Sequence, residues 1–98
     1  MSMKDGIKIK KKLTSAIEYL KSIGCKEVIL FGSLCDGTFD DTSDIDIAVS
    51  GVSPRLYFKA VATLPSIIKW KVDLVTMEHI SKELEQRIRK EGKILYAT

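Results

Sequence analysis

Residues 31–49, FGSLCDGTFDDTSDIDIAV, constrain this chain more than any other stretch. Ile45, Ile47 and Val49 alternate with Asp44, Asp46 and Ala48. That is the two-residue period of a strand, with both carboxylates on one face and three branched apolar side chains on the other. Upstream, Val28-Ile29-Leu30-Phe31 is a short continuous apolar run ended by Gly32, the pattern of a buried central strand. The link over residues 32–43 is rich in Gly, Ser, Thr and Asp, with room for one short helical turn. It is too short for a helical crossover, so the two strands are expected to be antiparallel and a doubly wound parallel sheet is disfavoured.

The remainder of the chain supplies helices and one more strand. After a loose start over residues 1–6, Ile7, Ile9, Leu13, Ala16, Ile17 and Leu20 recur at helical spacing, with lysines opposite and Gly24 as the stop. Ser53-Pro54 is a helix start, a capping hydroxyl before a proline at the first helical position. Tyr57, Phe58, Val61 and Leu64 form that helix's apolar side, and Pro65 is expected to stop or bend it. Residues 70–76 read as a strand with Val72, Leu74 and Thr76 on one face and Lys71, Asp73 and Val75 on the other. A last helix is expected over residues 78–91, with Ile80, Leu84 and Ile88 buried and Gly92 as its stop. Residues 93–96 are left between a short strand and a segment packed on the body.

Ninety-eight residues, 45% hydrophobic and 30% charged, suit one globular domain, with α/β (α+β) architecture: a small mixed sheet carrying helices mainly on one face. The net charge is +3, but no Lys or Arg lies between Lys26 and Arg55, whereas six of the 13 acids do. This describes an acidic, cation-binding mouth on a basic surface, or simply an acidic loop on one. Cys25 and Cys35 have no metal-binding spacing, and there is no signal, lipidation motif or long apolar span. Free thiols in a reducing cytoplasmic setting are expected. His79 is read as a surface residue, and Trp70, Tyr57 and Phe58 as packing residues; no nucleic-acid motif accompanies them.

Carboxylates at i and i+2 on a strand have Cα atoms roughly 6.5–7 Å apart. Leaning together, they can share divalent ions about 3.5–4 Å apart. Magnesium suits such a site, since it combines a few carboxylate oxygens with substrate phosphates. Asp73, an acid within an apolar strand, is the candidate third carboxylate, unless it faces solvent or pairs with a lysine. Gly32 and Ser33, directly after a strand, offer close backbone approach, N–H donors and a hydroxyl to phosphate oxygens, although a plain turn would look the same. Competing motifs fail: Thr38 stands where a P-loop needs lysine, and the Asp-rich run lacks the central Gly and terminal Glu of an EF-hand. A sugar transferase using Asp-x-Asp would need a larger nucleotide-binding domain.

LFGS, then SDIDIAV, then KVDLVT resemble the minimal nucleotidyltransferase family (MNT-type antitoxins) of the DNA polymerase beta superfamily, over nearly the whole chain. The resemblance implies that Asp44, Asp46 and Asp73 hold Mg2+ in a two-metal site and serve catalysis, Asp73 helping to deprotonate an acceptor hydroxyl. It implies that Gly32 and Ser33 bind the phosphates of ATP or another nucleoside triphosphate, with in-line attack on the α-phosphorus and loss of pyrophosphate. It further implies a HEPN-type toxin as partner, silenced by adenylylation of a tyrosine, within a homo- or hetero-oligomer; neither nucleic acid nor a membrane is an expected partner. One departure stands out. The family commonly has arginines just after Gly-Ser, as in GSRARG, whereas Leu34 and Asp36 occupy those positions in GSLCDG. Arg55, Lys69 or Lys71 are candidates to compensate. The alternative function is a weakly active or inactive module that binds nucleotide or neutralises a partner by contact.

Overall fold

The computed structural model describes residues 3–98, with side chains from residue 10 onward except that of Asp36. In chain order the elements are helix α1 (Met3–Ser22), strand β1 (Glu27–Phe31), the one-turn helix α2 (Ser33–Asp36), β2 (Ile45–Ser50), α3 (Pro54–Ile68), β3 (Val72–Thr76), a 3-10 turn (Met77–His79), α4 (Lys82–Glu91) and β4 (Lys93–Ala97). The sheet order is β3-β2-β1-β4. β1 is antiparallel to both β2 and β4, while β2 and β3 run parallel, joined through α3. The expected mixed sheet is therefore present, and residues 93–97 complete it as an edge strand.

Strand alternation divides the core in two. Val28 and Leu30, Ile45, Ile47 and Val49, and Leu74 face one side and bury against α1 and α3 through Ala16, Leu20, Ala60, Leu64 and Ile68. Ile29 and Ala48 face the other side and pack with Met77 and Ile88, joined by Ile80 and Leu84. Each fully buried Leu, Ile or Val contributes about 1.5–3 kcal/mol, so the first cluster dominates stability. The two long helices cover one face as expected, and α4 covers part of the second. Arg89 of α4 donates to both oxygens of Glu27 on β1, at 2.8 and 3.1 Å, and the Ser50 hydroxyl donates to Glu27 at 2.9 Å. This network ties α4 to the sheet end where β2 finishes, and the Arg89 guanidinium draws the Glu27 carboxyl below its ordinary range.

Several boundaries differ from the sequence reading. Residues 3–6, expected to be loose, belong to α1, while Met1, Ser2 and the side chains of Ile7 and Ile9 lie outside the described residues. Pro65 does not stop α3, which continues to Ile68. The proline removes one backbone hydrogen bond, but Leu64 and Ile68 on either side of it are completely buried, and that burial outweighs the loss. The last helix starts at Lys82 rather than at Glu78. Thr76 Oγ1 and His79 Nδ1 lie 2.8 Å apart across the 3-10 turn, and the Ser81 hydroxyl caps α4 by accepting from Leu84 N at 3.1 Å. β3 begins at Val72, after Lys69 adopts the left-handed conformation that ends α3. His79 is exposed and both cysteines are free, as expected. Burial, with the Glu78 charge adding to it, pushes the Cys25 thiol up to about 11. Among the described residues, no helix is long and apolar enough to cross a membrane.

Gly92 closes α4 for a packing reason. Its backbone is extended (φ −78°, ψ 167°), and its N–H donates to the Ile88 carbonyl at 2.8 Å. A Cβ there would press on that carbonyl, on Ile29 and on the Leu30 carbonyl. Gly92→Ala is expected to cost about 1–3 kcal/mol through overpacking. That corresponds to a fall in Tm of roughly 5–15 °C, measurable by thermal denaturation.

Candidate functional site

The parallel register sets Asp46 of β2 opposite Asp73 of β3, and the antiparallel register sets Phe31 of β1 opposite Asp46. Directly opposed residues share a face, so the two carboxylates emerge side by side at one end of the sheet, where β1 runs out into Gly32. Asp44 lies just before β2 rather than within it. It still bears on Asp46: burial first, then the charges of Asp73 and Asp44, and a hydrogen bond with Asp73, raise the Asp46 carboxyl above its ordinary range. Asp46 is half-buried, whereas Asp44 and Asp73 are exposed. Asp46 and Asp73 are thus brought together as a strand pair, and Asp44, just before β2, acts on Asp46 through its charge.

Gly32 sits hard against that middle acid. Its φ of 78° lies in the region that favours glycine, and a Cβ would collide with the Asp46 carboxylate. The Gly-Ser turn therefore lets the backbone pass within contact of the acids, and Ser33 opens α2 immediately after it. Two further anchors position Asp44, and sequence reasoning assigned Trp70 to packing alone. The Trp70 indole N–H donates to the Ser43 carbonyl at 2.8 Å, its ring packs 5.4 Å from Phe39, and Ile45 N donates to the Lys71 carbonyl at 2.8 Å. A half-buried indole requires an acceptor, and that requirement was the available signal.

Asp40 has a structural part in the loop. It accepts from the Thr42 hydroxyl at 2.7 Å, from Thr42 N at 2.8 Å and from the Ser43 hydroxyl at 3.2 Å. These bonds, led by the Thr42 hydroxyl, hold its carboxyl below the usual range.

A cleft of about 190 Å³ opens beside Gly32, between Phe31 and Cys35 on one side and Leu84, Arg87 and Ile88 of α4 on the other. Arg55, Lys69 and Lys71, the expected substitutes for missing arginines, do not line it. Arg55 begins α3, beyond the opposite end of β2 from Asp46, while Lys69 and Lys71 lie near the start of β3. The side chain of Asp36, which stands where the family commonly has an arginine, lies outside the described residues. Arg87 is the cation at this cleft, and sequence reading missed it because an exposed arginine with a glutamate four residues on looks like an ordinary helix-surface pair.

Among the described residues, no three His, Cys, Asp or Glu side chains converge closely enough to form an all-protein metal cage. Magnesium does not require one, since it takes one or two carboxylates with waters and phosphates. A half-buried carboxyl flanked by two like charges is the donor chemistry that a divalent ion would relieve. The acids fit such an ion on those grounds.

Residues 11–98 match the family model described as Polymerase beta, Nucleotidyltransferase. The chain belongs to the polymerase beta nucleotidyltransferase family. It is 31% identical to the protein adenylyltransferase MntA of Aphanizomenon flos-aquae (strain 2012/KM1/D3), over 87% of this chain, and spans 62% of that relative's length. Among solved structures it resembles a toxin–antitoxin with AMP-PNP (31% identity, TM-score 0.75, 90% of this chain and 73% of the other). It also resembles the complex of a tri-AMPylated Shewanella oneidensis HEPN toxin with MNT antitoxin (27% identity, TM-score 0.72, 92% of this chain and 73% of the other).

The raised Asp46 carboxyl carries a stability signature. A carboxyl whose proton affinity is higher folded than unfolded contributes stability at low pH, and that contribution is lost as pH rises through its folded pKa. Near neutral pH the charge on Asp46 therefore weakens the fold. Asp46→Asn is expected to raise Tm by about 2–5 °C at pH 7. The gain should vanish once pH falls below the ordinary carboxylate range. Melting curves over pH 3–8 check both the size and the direction.

Proposed function

We propose that residues 1–98 act as one minimal nucleotidyltransferase domain, a magnesium-dependent protein adenylyltransferase that moves AMP from ATP to a hydroxyl of a partner protein. The observation carrying this reading is the juxtaposition of the acids with the Gly-Ser turn. Asp46 faces Asp73 across paired strands, is influenced by Asp44, and lies against Gly32. Asp44, Asp46 and Asp73 would hold the magnesium, which when bound neutralises phosphate charge at the reacting centre. Gly32 and Ser33 bring backbone and hydroxyl donors to the phosphates. The acceptor oxygen forms a bond to the α-phosphorus as the bond from that phosphorus to the oxygen leading to the β-phosphate breaks, and pyrophosphate leaves. Asp73, the exposed member of the strand pair, takes the acceptor's proton.

Likeness to MntA and to the MNT–HEPN complex supports a HEPN-type toxin as the acceptor, with this chain as its antitoxin; a tyrosine as the accepting hydroxyl and a cytoplasmic setting are part of the same proposal. The exposed Asp44 and Asp73 leave the acid end of the sheet open to an acceptor presented by a partner. The basic residues missing from residues 27–54 favour a second reading, a module that binds nucleotide or its partner without efficient transfer.

Incubation with α-labelled ATP, Mg2+ and a purified HEPN-type partner distinguishes them. Label should appear on the partner, disappear on chelation, and fall at least 100-fold with Asp44→Asn or Asp46→Asn. Unlabelled partner, with the variants neutralising it as well as the parent does, favours the contact module.

A further inference from the structure

We propose that Arg87 of α4 is the cation that grips the β- and γ-phosphates, replacing from the C-terminal part of the chain the charges that the loop after Gly32-Ser33 lacks. This inference rests on the nucleotide-binding reading and adds a residue and a path for the phosphate tail. No Lys or Arg occurs from residue 27 to residue 54, so the facing ends of β1 and β2 and the loop between them bring no positive charge of their own. A triphosphate carries several negative charges beside three carboxylates, and a divalent ion offsets only part of that repulsion.

Gly32 links the two halves of the site. It touches Asp46 and also lines the cleft that Arg87 borders. With the α-phosphorus near the acids, a tail leaving across Gly32 enters this cleft. Phe31, Leu84 and Ile88 provide apolar walls, which lower the local dielectric and strengthen a guanidinium–phosphate contact there.

Arg87 is held in readiness rather than consumed. Its Nε lies 3.2 Å from Glu91 Oε2, one helical turn on, and the two side chains are 72% and 63% exposed. An exposed i,i+4 pair is weak and readily yields to a multiply charged phosphate that accepts two parallel hydrogen bonds. Glu91 also lies on the cleft, and its backbone carbonyl is 3.6 Å from the Cys35 thiol, so the end of α4 is packed against α2. Glu91 thus competes with the nucleotide for the guanidinium.

Calorimetric titration with Mg·ATP and Mg·AMP, using the full chain and its Arg87→Ala, Arg87→Lys and Glu91→Gln variants, tests the assignment. Arg87→Ala should weaken ATP about tenfold to a hundredfold and leave AMP within twofold. Arg87→Lys should recover part of the loss, since a point charge cannot reproduce the planar fork. Glu91→Gln should tighten ATP. Unchanged ATP affinity in Arg87→Ala, or an equal loss for ATP and AMP, overturns the role of Arg87 while leaving the nucleotide site standing. Failure of the unsubstituted chain to bind ATP overturns the site itself, and the Arg87 assignment with it.

Discussion

The parallel pairing of β2 with β3 forces Asp46 and Asp73 to share one face at one end of the sheet. Parallel neighbours need a crossover, and α3 supplies it, burying Ala60, Leu64 and Ile68 under the sheet as it returns the chain to the start of β3. β1 then runs antiparallel on the other side of β2 and ends where Gly32 meets the Asp46 carboxylate. Hydrophobic burial on one face thus determines where like charges must meet on the other. The repulsion among them is a local cost supported by the core, a common arrangement where a site is built to receive a cation.

Loop chemistry refines what the strands position. Asp40 closes a turn with Thr42 and Ser43, and Trp70 holds the Ser43 carbonyl immediately before Asp44. The acid run therefore divides its work: Asp40 shapes the loop, while Asp44 joins Asp46 and Asp73. The proposed phosphate end is built differently, from a bare glycine turn and the facing surface of α4.

Much of this was legible in the sequence because it depends on a period of two. Alternation of Asp44-Ile45-Asp46-Ile47 and of Asp73-Leu74 fixed which side chains share a face, and the short link implied an antiparallel β1–β2 pair. The strand-to-strand register, and hence the Asp46–Asp73 pairing, required the fold. Pro65 does not stop α3, because a local hydrogen-bond penalty is smaller than the burial of Leu64 and Ile68. The late start of α4 followed from the Ser81 cap and the Thr76–His79 contact, either of which resembles continuous helix in a pattern of apolar spacing. Arg87 was invisible for a topological reason: α4 reaches the Gly32 turn only by packing on the second face of the sheet.

A divalent cation is proposed to bind at the sheet end bearing Asp44, Asp46, Asp73 and Gly32. Titrating Mn2+ into isotope-labelled protein with a non-hydrolysable ATP analogue, while following backbone amide signals, tests it most directly. Gly32, Ile45, Asp46 and Asp73 should broaden first, while Ser50, Gly51 and Thr76 at the far end of the strands stay sharp. First broadening around Glu27, Glu78 and Glu85, or uniform broadening across the chain, would contradict it.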